Sequence, residues 1–212
     1  MIIAVDGTLA SGKGTVARGI AQAFGLAHLD TGALYRAVAV ELLKAGEDPG
    51  NAEAAGNAAR HLDPSRIDPA AIRTADAGAA ASVVAAQPAV RTALFDLQRR
   101  FAEQPGGAVL DGRDIGTVVC PDADVKFYID AEPRIRAERR WRELAANGED
   151  IQLADIERQL AERDARDSSR ETAPLMRAED AILLDTTHLS IDATLAEAVR
   201  MIQNKTGVSP RN

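Results

Sequence analysis

Gly7-Thr8-Leu9-Ala10-Ser11-Gly12-Lys13-Gly14-Thr15 is the stretch whose reading decides the fold. The apolar run Ile2-Ile3-Ala4-Val5 precedes it, and Val16, Ile20 and Phe24 follow at helical spacing. Strand, glycine-rich loop and helix, in that order, are the setting of a phosphate-binding loop. Glycine lets the backbone curl without a Cβ clash, so successive amide N–H groups turn toward one anion. The helix start behind them adds unsatisfied donors and the positive end of a dipole. Lys13 adds a point charge for the outer phosphates. The pattern G-x-x-x-x-G-K is complete; Gly14 stands where Ser or Thr is usual, and Thr15 comes one place later. Gly7 through Thr15 are the expected nucleoside triphosphate site.

Four more short apolar runs follow: Leu26–Leu29, Ala108–Leu110, Val125–Ile129 and Ala181–Leu184. Stretches of helical period separate them. Such alternation predicts a parallel sheet covered by helices on both faces. The expected fold is α/β, with five parallel strands flanked by helices. Each run ends in Asp: Asp6, Asp30, Asp111, Asp130 and Asp185. Ligands of open α/β sheets bind beyond the carboxyl ends of the strands, but carboxylates also cap helices and turns there. About half are expected to be caps, and Asp111 is the best candidate for a site residue. His28 has no metal-spaced partner and is expected to be a packed or edge histidine.

The helices are expected to bury Leu34, Val38, Leu42 and Leu43; Val90, Leu94, Leu97 and Phe101; and Ile191, Leu195, Val199 and Ile202. Gly46, Pro49, Gly50, Pro64 and Pro69 break the stretch from Lys44 to about Asp76 into short helices and loops. Helices are expected from about Ala75, Pro88 and Pro133; Asn147-Gly148 interrupts the last, and Leu153 begins another. The residues from Asn204 are expected to fray.

A chain of 212 residues with 46% hydrophobic content has room for a sizeable core, and with only 3% aromatics that core must be aliphatic. A net charge of −7 argues against nucleic acid as partner. A single cysteine, Cys120, excludes an internal disulfide and suits a reducing compartment. No signal peptide or membrane-spanning run is apparent, so a cytoplasmic, soluble protein with no membrane partner is expected.

Arg163, Arg166, Asp167 and Arg170 fall at i, i+3, i+4 and i+7, on one helix face. Such a row either forms a solvated face paired with Glu162, Asp164 and Glu171, or receives phosphate between its guanidiniums. Arg36 and Arg113, each just past a strand end, favour a second phosphate site.

These residues together resemble bacterial cytidylate kinases, a family of nucleoside monophosphate kinases. The resemblance rests on G-T-L-A-S-G-K-G-T at Gly7–Thr15, D-T-G-A-L-Y-R at Asp30–Arg36 and A-S-V-V-A-A-Q-P-A-V-R at Ala81–Arg91. It continues with D-G-R-D-I-G-T-V-V at Asp111–Val119, R-D-A-R-D-S-S-R-E-T-A-P-L at Arg163–Leu175 and L-D-T-T-H-L-S-I at Leu184–Ile191. D-G-R-D-x-G-T is far more specific than the phosphate loop, and G-K-G-T is the loop form of monophosphate kinases.

The resemblance implies one cytidylate kinase-like domain over 1–212, with its P-loop kinase core at about 1–30, 105–140 and 171–212. It implies an acceptor-binding region at about 31–104 and a lid at about 141–170. It implies transfer of the ATP γ-phosphoryl group to CMP or dCMP, with Mg²⁺ carried on ATP, by a monomer. Lys13 and Arg166 would be catalytic. Arg36, Arg113 and Arg170 would hold the acceptor phosphate; Ser82, Arg91 and Asp114 would read the cytosine edge. Arg163 and Asp167 would contact the sugar hydroxyls, and Tyr35 would pack against the nucleotide. No dedicated metal ligands are expected from the chain, though Thr15 is a candidate contact to a magnesium-bound water. Three departures stand out: Thr8-Leu9 where the family often has Pro, Ser or another small residue, Thr31 for the frequent Ser, and a shortened insert at 44–80. Shikimate or coenzyme-A-precursor kinases would not predict Ser82, Arg91 and Asp114 together. A GTPase would need N-K-x-D, and Asn204-Lys205-Thr206-Gly207 lacks the Asp.

Overall fold

The computed structural model describes residues 1–146 and 148–211. The chain divides into two compact units, Met1–Leu29 with Ala102–Asn212, and Asp30–Phe101.

The first unit is built on the expected strands: β1 (Ile2–Gly7), β2 (Ala27–Asp30), β3 (Ala108–Gly112), β4 (Val125–Asp130) and β5 (Ile182–Asp185). They form one parallel sheet in the order β2-β3-β1-β4-β5. The central β1 pairs with β3 through Ile2↔Ala108 to Asp6↔Gly112 and with β4 through Ile3↔Val125 to Gly7↔Ile129. Parallel pairing brings the carboxyl ends, and the aspartates on them, to one edge.

Strand residues point alternately to opposite faces. Ile3, Val5, Val109, Val125, Phe127, Ile129 and Leu184 share one face, packed by Val16, Ala17, Ile20, Ala21 and Phe24 of α1 (Lys13–Phe24). Helix α8 (Ile191–Thr206) adds Ala198 and Ile202 to the same cluster. Two expectations for α8 need correction. Ser190 caps it by accepting from the Ala193 N–H, so the inward row steps by four from Ile202 through Ala198 and Thr194 to the cap. Leu195 and Val199 flank that row, while Ile191 is 60% exposed. The chain does not fray at Asn204: the helix continues to Thr206, Gly207 closes it at φ +71°, and the Arg211 N–H donates to the Ala23 carbonyl at 2.7 Å.

Between β3 and β4, residues Ile115–Val119 form a π-helical turn closed by Cys120 N–H donating to the Ile115 carbonyl. Helices α6 (Pro133–Ala146) and α7 (Leu153–Ser169) follow β4 and enclose their own cluster of Ala137, Leu144, Ile156 and Leu160. Asn147, one half of the expected break, lies outside the described residues.

The second unit is helical: α2 (Thr31–Ala45), α3 (Ala52–Arg60), α4 (Ala75–Val84) and α5 (Pro88–Ala102), with 3₁₀ turns at Pro64–Arg66 and Ala71–Arg73. Asp30, Asn51 and Thr74 cap α2, α3 and α4 through their side chains. Its small core gathers Ala37, Val40, Ile72 and Ala77. The shortened 44–80 stretch contains helices and turns and, among its described residues, no strand. Two apolar stripes differ from expectation. Leu43 is exposed, because Leu34, Val38 and Leu42 already step by four along the buried face. In α5 the fully buried row is Val90, Leu94, Gln98 and Ala102 rather than one through Leu97 and Phe101. Gln98 tolerates burial because its Nε2 donates to the Leu94 carbonyl.

Phe127 is the largest fully buried side chain. Phe127→Ala should destabilise the protein by about 3–5 kcal/mol through lost transfer energy and the cavity left behind. A fall in the urea midpoint measures it.

Candidate active site

The loop after β1 has the backbone its glycines foretold. Gly7 has φ +153°, and a Cβ there would stand 2.0 Å from the Ile129 carbonyl oxygen, so no side chain fits. Gly12 takes φ +88° as the first residue before α1, and no side chain caps that helix. Its start is therefore open to an anion. Ala10 also adopts a left-handed φ of 61°, a cost that functional loops bear. The Ser11 hydroxyl donates to the Thr8 carbonyl at 3.0 Å and Lys13 Nζ to the same oxygen at 3.4 Å, which folds the lysine back over the loop.

All five strand-end carboxylates hold something. Asp30 caps α2 and accepts from Arg36 Nη2 at 2.6 Å. Asp130 accepts from the Thr8 hydroxyl at 2.6 Å, and Asp185 from the Thr187 N–H and hydroxyl. Asp111 is buried and lies 2.8 Å from Nε2 of His28, so that histidine is paired rather than merely packed. Asp111 Oδ1 also sits 3.6 Å from where a Cβ on Gly14 would be, which puts a carboxylate beside the phosphate loop. Asp6 accepts from the Ile115 N–H at 2.8 Å and the Gly116 N–H at 2.7 Å, directly after Arg113 and Asp114. These bonds link the start of the phosphate loop to the D-G-R-D segment.

The arginine row on α7 is gathered on Asp167 through Arg163 and Arg170, with Arg166 left at the surface. Asp167 is 1% exposed and accepts from Arg113 Nε at 2.9 Å and from Arg170 Nη2, with Arg163 Nε at 4.0 Å. Burial raises the Asp167 carboxyl, but Arg113, Arg170 and Arg163 outweigh it and hold the group below the usual carboxylate value. Asp164 does not pair with this row; it binds Arg136 Nη2 at 2.7 Å. Arg166 is exposed and makes no ion pair among the described residues. Asp114 is buried at the start of the π-helical turn.

In the second unit, Ser82 of α4 is 4% exposed and its hydroxyl has no hydrogen-bond partner among the described residues. Arg91 of α5 is buried, donates from Nη1 to the Ala85 carbonyl at 3.1 Å, and lies over the Tyr35 ring at 5.7 Å. That distance suits a cation–π contact. The unit thus holds Tyr35 and Arg91 together and leaves one buried hydroxyl unsatisfied.

The sequence profile of cytidylate kinases matches residues 3–204. The chain belongs to the cytidylate kinase family. A cytidylate kinase of Xanthobacter autotrophicus is 55% identical over 96% of this chain and 97% of that protein. One from Azorhizobium caulinodans is 56% identical over 98% and 100%. Among solved structures, an uncharacterized protein from Eubacterium ventriosum superposes with a TM-score of 0.55 at 14% identity, over 96% of this chain and 98% of that one. This last likeness concerns the fold alone. Membership of the family makes the chain a kinase, an enzyme of phosphoryl transfer to a nucleoside monophosphate. Among the described residues no helix is long and apolar enough to cross a membrane.

Two arginines of α6 in this family member were not singled out from the sequence. Arg139 borders a 540 Å³ cavity with Ala10, Gly12, Val16, Thr186 and Leu189. It donates to the Thr186 hydroxyl at 2.9 Å and carbonyl at 2.6 Å, and Thr186 in turn donates to the Ser11 carbonyl. Arg136 is 5% exposed. Five arginines lie on α6, Arg134, Arg136, Arg139, Arg140 and Arg142; only the small Ala137 beside Arg136 hinted which of them turns inward.

Burial pushes the Asp6 carboxyl up from 3.8 to about 7, with its two backbone hydrogen bonds opposing and Asp114 adding to the rise. A raised carboxyl favours the folded state most at pH values below 3.8, where both states are protonated. Stability is then lost as the pH climbs toward about 7, because only the unfolded carboxyl ionises freely. Relative to Asp6→Asn, the wild type should lose stability across that window and not beyond it, as followed by urea midpoints at stepped pH.

Proposed function

We propose that the enzyme transfers the γ-phosphoryl group of ATP to CMP or dCMP, giving ADP and CDP or dCDP. The observation that carries this reading is the convergence of Arg113, Arg163 and Arg170 on Asp167. Three planar guanidiniums, each a fork of N–H donors matched to phosphate oxygens, are thereby brought around one carboxylate, an arrangement suited to a phosphate and a ribose.

Lys13 and the amides of Gly7–Thr15 take the donor phosphates, and the cavity beside Arg139 has the size of a nucleobase site. Arg36, Arg113 and Arg170 hold the acceptor phosphate; Arg163 and Asp167 meet the sugar hydroxyls. Ser82, Arg91 and Asp114 read the cytosine edge, and the unsatisfied Ser82 hydroxyl favours a polar ligand there. Tyr35 packs against the nucleotide. A phosphate oxygen of the acceptor attacks the γ-phosphorus in line as the bond to the bridging oxygen of ADP breaks, with no enzyme-bound intermediate. Lys13 and Arg166 balance the charge on the transferred group, and the protein contributes position and electrostatics.

When bound, Mg²⁺ carried on ATP would supply positive charge to the phosphate oxygens. The Thr15 hydroxyl and the Asp111 carboxylate next to Gly14 are hard oxygen donors of the kind that hold its waters. The single cysteine, Cys120, is a buried thiol outside any disulfide, which suits action in the cytoplasm. The enzyme is read as working as a monomer.

Turnover of ATP with CMP, dCMP, UMP, AMP and shikimate separates this reading from its neighbours: CMP and dCMP should be fastest, and AMP turning over as fast would overturn the cytidine assignment. Arg113→Ala should lower kcat/KM for CMP by about 100-fold, the usual loss when a donor to a phosphoryl group is removed. Unchanged CMP turnover would remove Arg113 from the acceptor site.

A further inference from the structure

Thr8 and Leu9 stand where the family often has Pro, Ser or another small residue, and both are engaged. The Thr8 hydroxyl donates to Asp130 Oδ1 at 2.6 Å, a bond proline cannot make. The Leu9 side chain packs against the α6–α7 cluster of Ala137, Leu144, Ile156 and Leu160. The Leu9 carbonyl accepts from Arg136 Nη1 at 3.2 Å. Arg136 is buried, and its other contacts run outward from there: Nε to the Ala131 carbonyl at 3.0 Å, and Nη2 to Asp164 at 2.7 Å. Asp164 follows Arg163 on α7, and Asp167 is one turn further on.

A continuous path of contacts therefore leads from the donor loop through the buried Arg136 to Asp164, beside Arg163 in the arginine row. The loop bears left-handed backbone at Ala10 and Gly12, and α7 meets the sheet through its packing on α6 rather than by strand pairing. In-line transfer tolerates little error, since a displacement of about 1 Å can cost 100-fold in rate. We propose that Thr8, Leu9 and Arg136 are positioning residues that fasten the donor loop to α6 and α7. They set the register between the triphosphate site and the Arg163–Arg170 row through the Thr8 hydroxyl, the Leu9 side chain and the Leu9 carbonyl, groups separate from the backbone amides that take the phosphates. The proposal rests on the reading that the loop takes the donor triphosphate.

Thr8→Val and Leu9→Ala test it, because both leave Arg136 and Asp164 paired. At saturating ATP and CMP, each should lower kcat about 10- to 100-fold, while the Kd for CMP measured without ATP stays within about twofold and the melting midpoint moves little. The double variant should lose less than the product of the two single losses, as expected of residues acting as a unit. Leu9→Met, which keeps the volume, should restore most of the rate. Amide exchange over Gly7–Thr15 should speed up about fivefold or more in Leu9→Ala, a readout that requires no turnover. A kcat within twofold of wild type in both single variants, with loop exchange unchanged, overturns the proposal. A fall in melting midpoint with kcat unchanged overturns it equally, since that is a purely structural role. Failure of the wild type to make CDP from CMP and ATP would instead sink the reaction assignment, and loop exchange would still decide the fastening.

Discussion

Asp6, one residue before the end of β1, has a carboxylate with almost no access to water, and its two oxygens are taken by the N–H groups of Ile115 and Gly116. Burying a charge-capable group so completely is costly unless it is hydrogen-bonded. Here the two bonds decide where the D-G-R-D segment goes after it leaves β3. Because β1 is central and β3 its direct neighbour, the next residue, Gly7, opens the phosphate loop on the same edge where Arg113 and Asp114 emerge. The π-helical turn follows from this constraint. Gly116 must bring its N–H to Asp6 in a space where a Cβ would lie 3.4 Å from the carboxylate and 3.2 Å from the Lys126 chain. The wide turn lets the chain do so and still reach β4.

The arginines divide by what holds them. Arg136 is sunk between the loop and α7 with every arm engaged in protein contacts. Arg113, Arg163 and Arg170 are gathered by Asp167, which is kept ionised by their company. Arg166 points to solvent. Residue type alone would rank these arginines alike, yet burial gives each group different chemistry. A guanidinium locked by backbone carbonyls supports a shape, one held by a shared carboxylate presents a fan of donors, and an exposed one must be ordered by its ligand.

The strands were legible because each is a short apolar run ended by Asp, and the phosphate loop because glycine, lysine and helix come in a known order. Helix faces were less legible. In α8 and α5 the buried rows step by four and include Thr194 and Gln98, polar side chains that satisfy themselves on the preceding turn. Hydrophobicity alone prefers Ile191 and Leu97 there. The pairing of His28 with Asp111 joins residues far apart in sequence but on adjacent strands, β2 and β3, so only sheet order reveals it. The Asp164–Arg136 pair escaped for the same reason: sequence spacing ties Asp164 to its own helix, whereas packing ties it to α6.

The sheet also has a direction in time. Its central strand, β1, is the first element of the chain, but Ile2 pairs with Ala108 and Ile3 with Val125. The unit Asp30–Phe101 lies wholly between them in sequence and is made of helices, whose contacts are local. Local contacts form quickly and distant strand pairs slowly, because closing the intervening loop costs entropy before any pairing is gained. As the chain leaves the ribosome, the helical unit has all its residues while β1 still has no neighbour. The strand that carries the phosphate loop is thus synthesised well before its partners and among the last secured. Ile2-Ile3-Ala4-Val5 stays an unpaired apolar edge until Ala108–Gly112 emerges, the interval in which such a segment is most open to pairing with another chain.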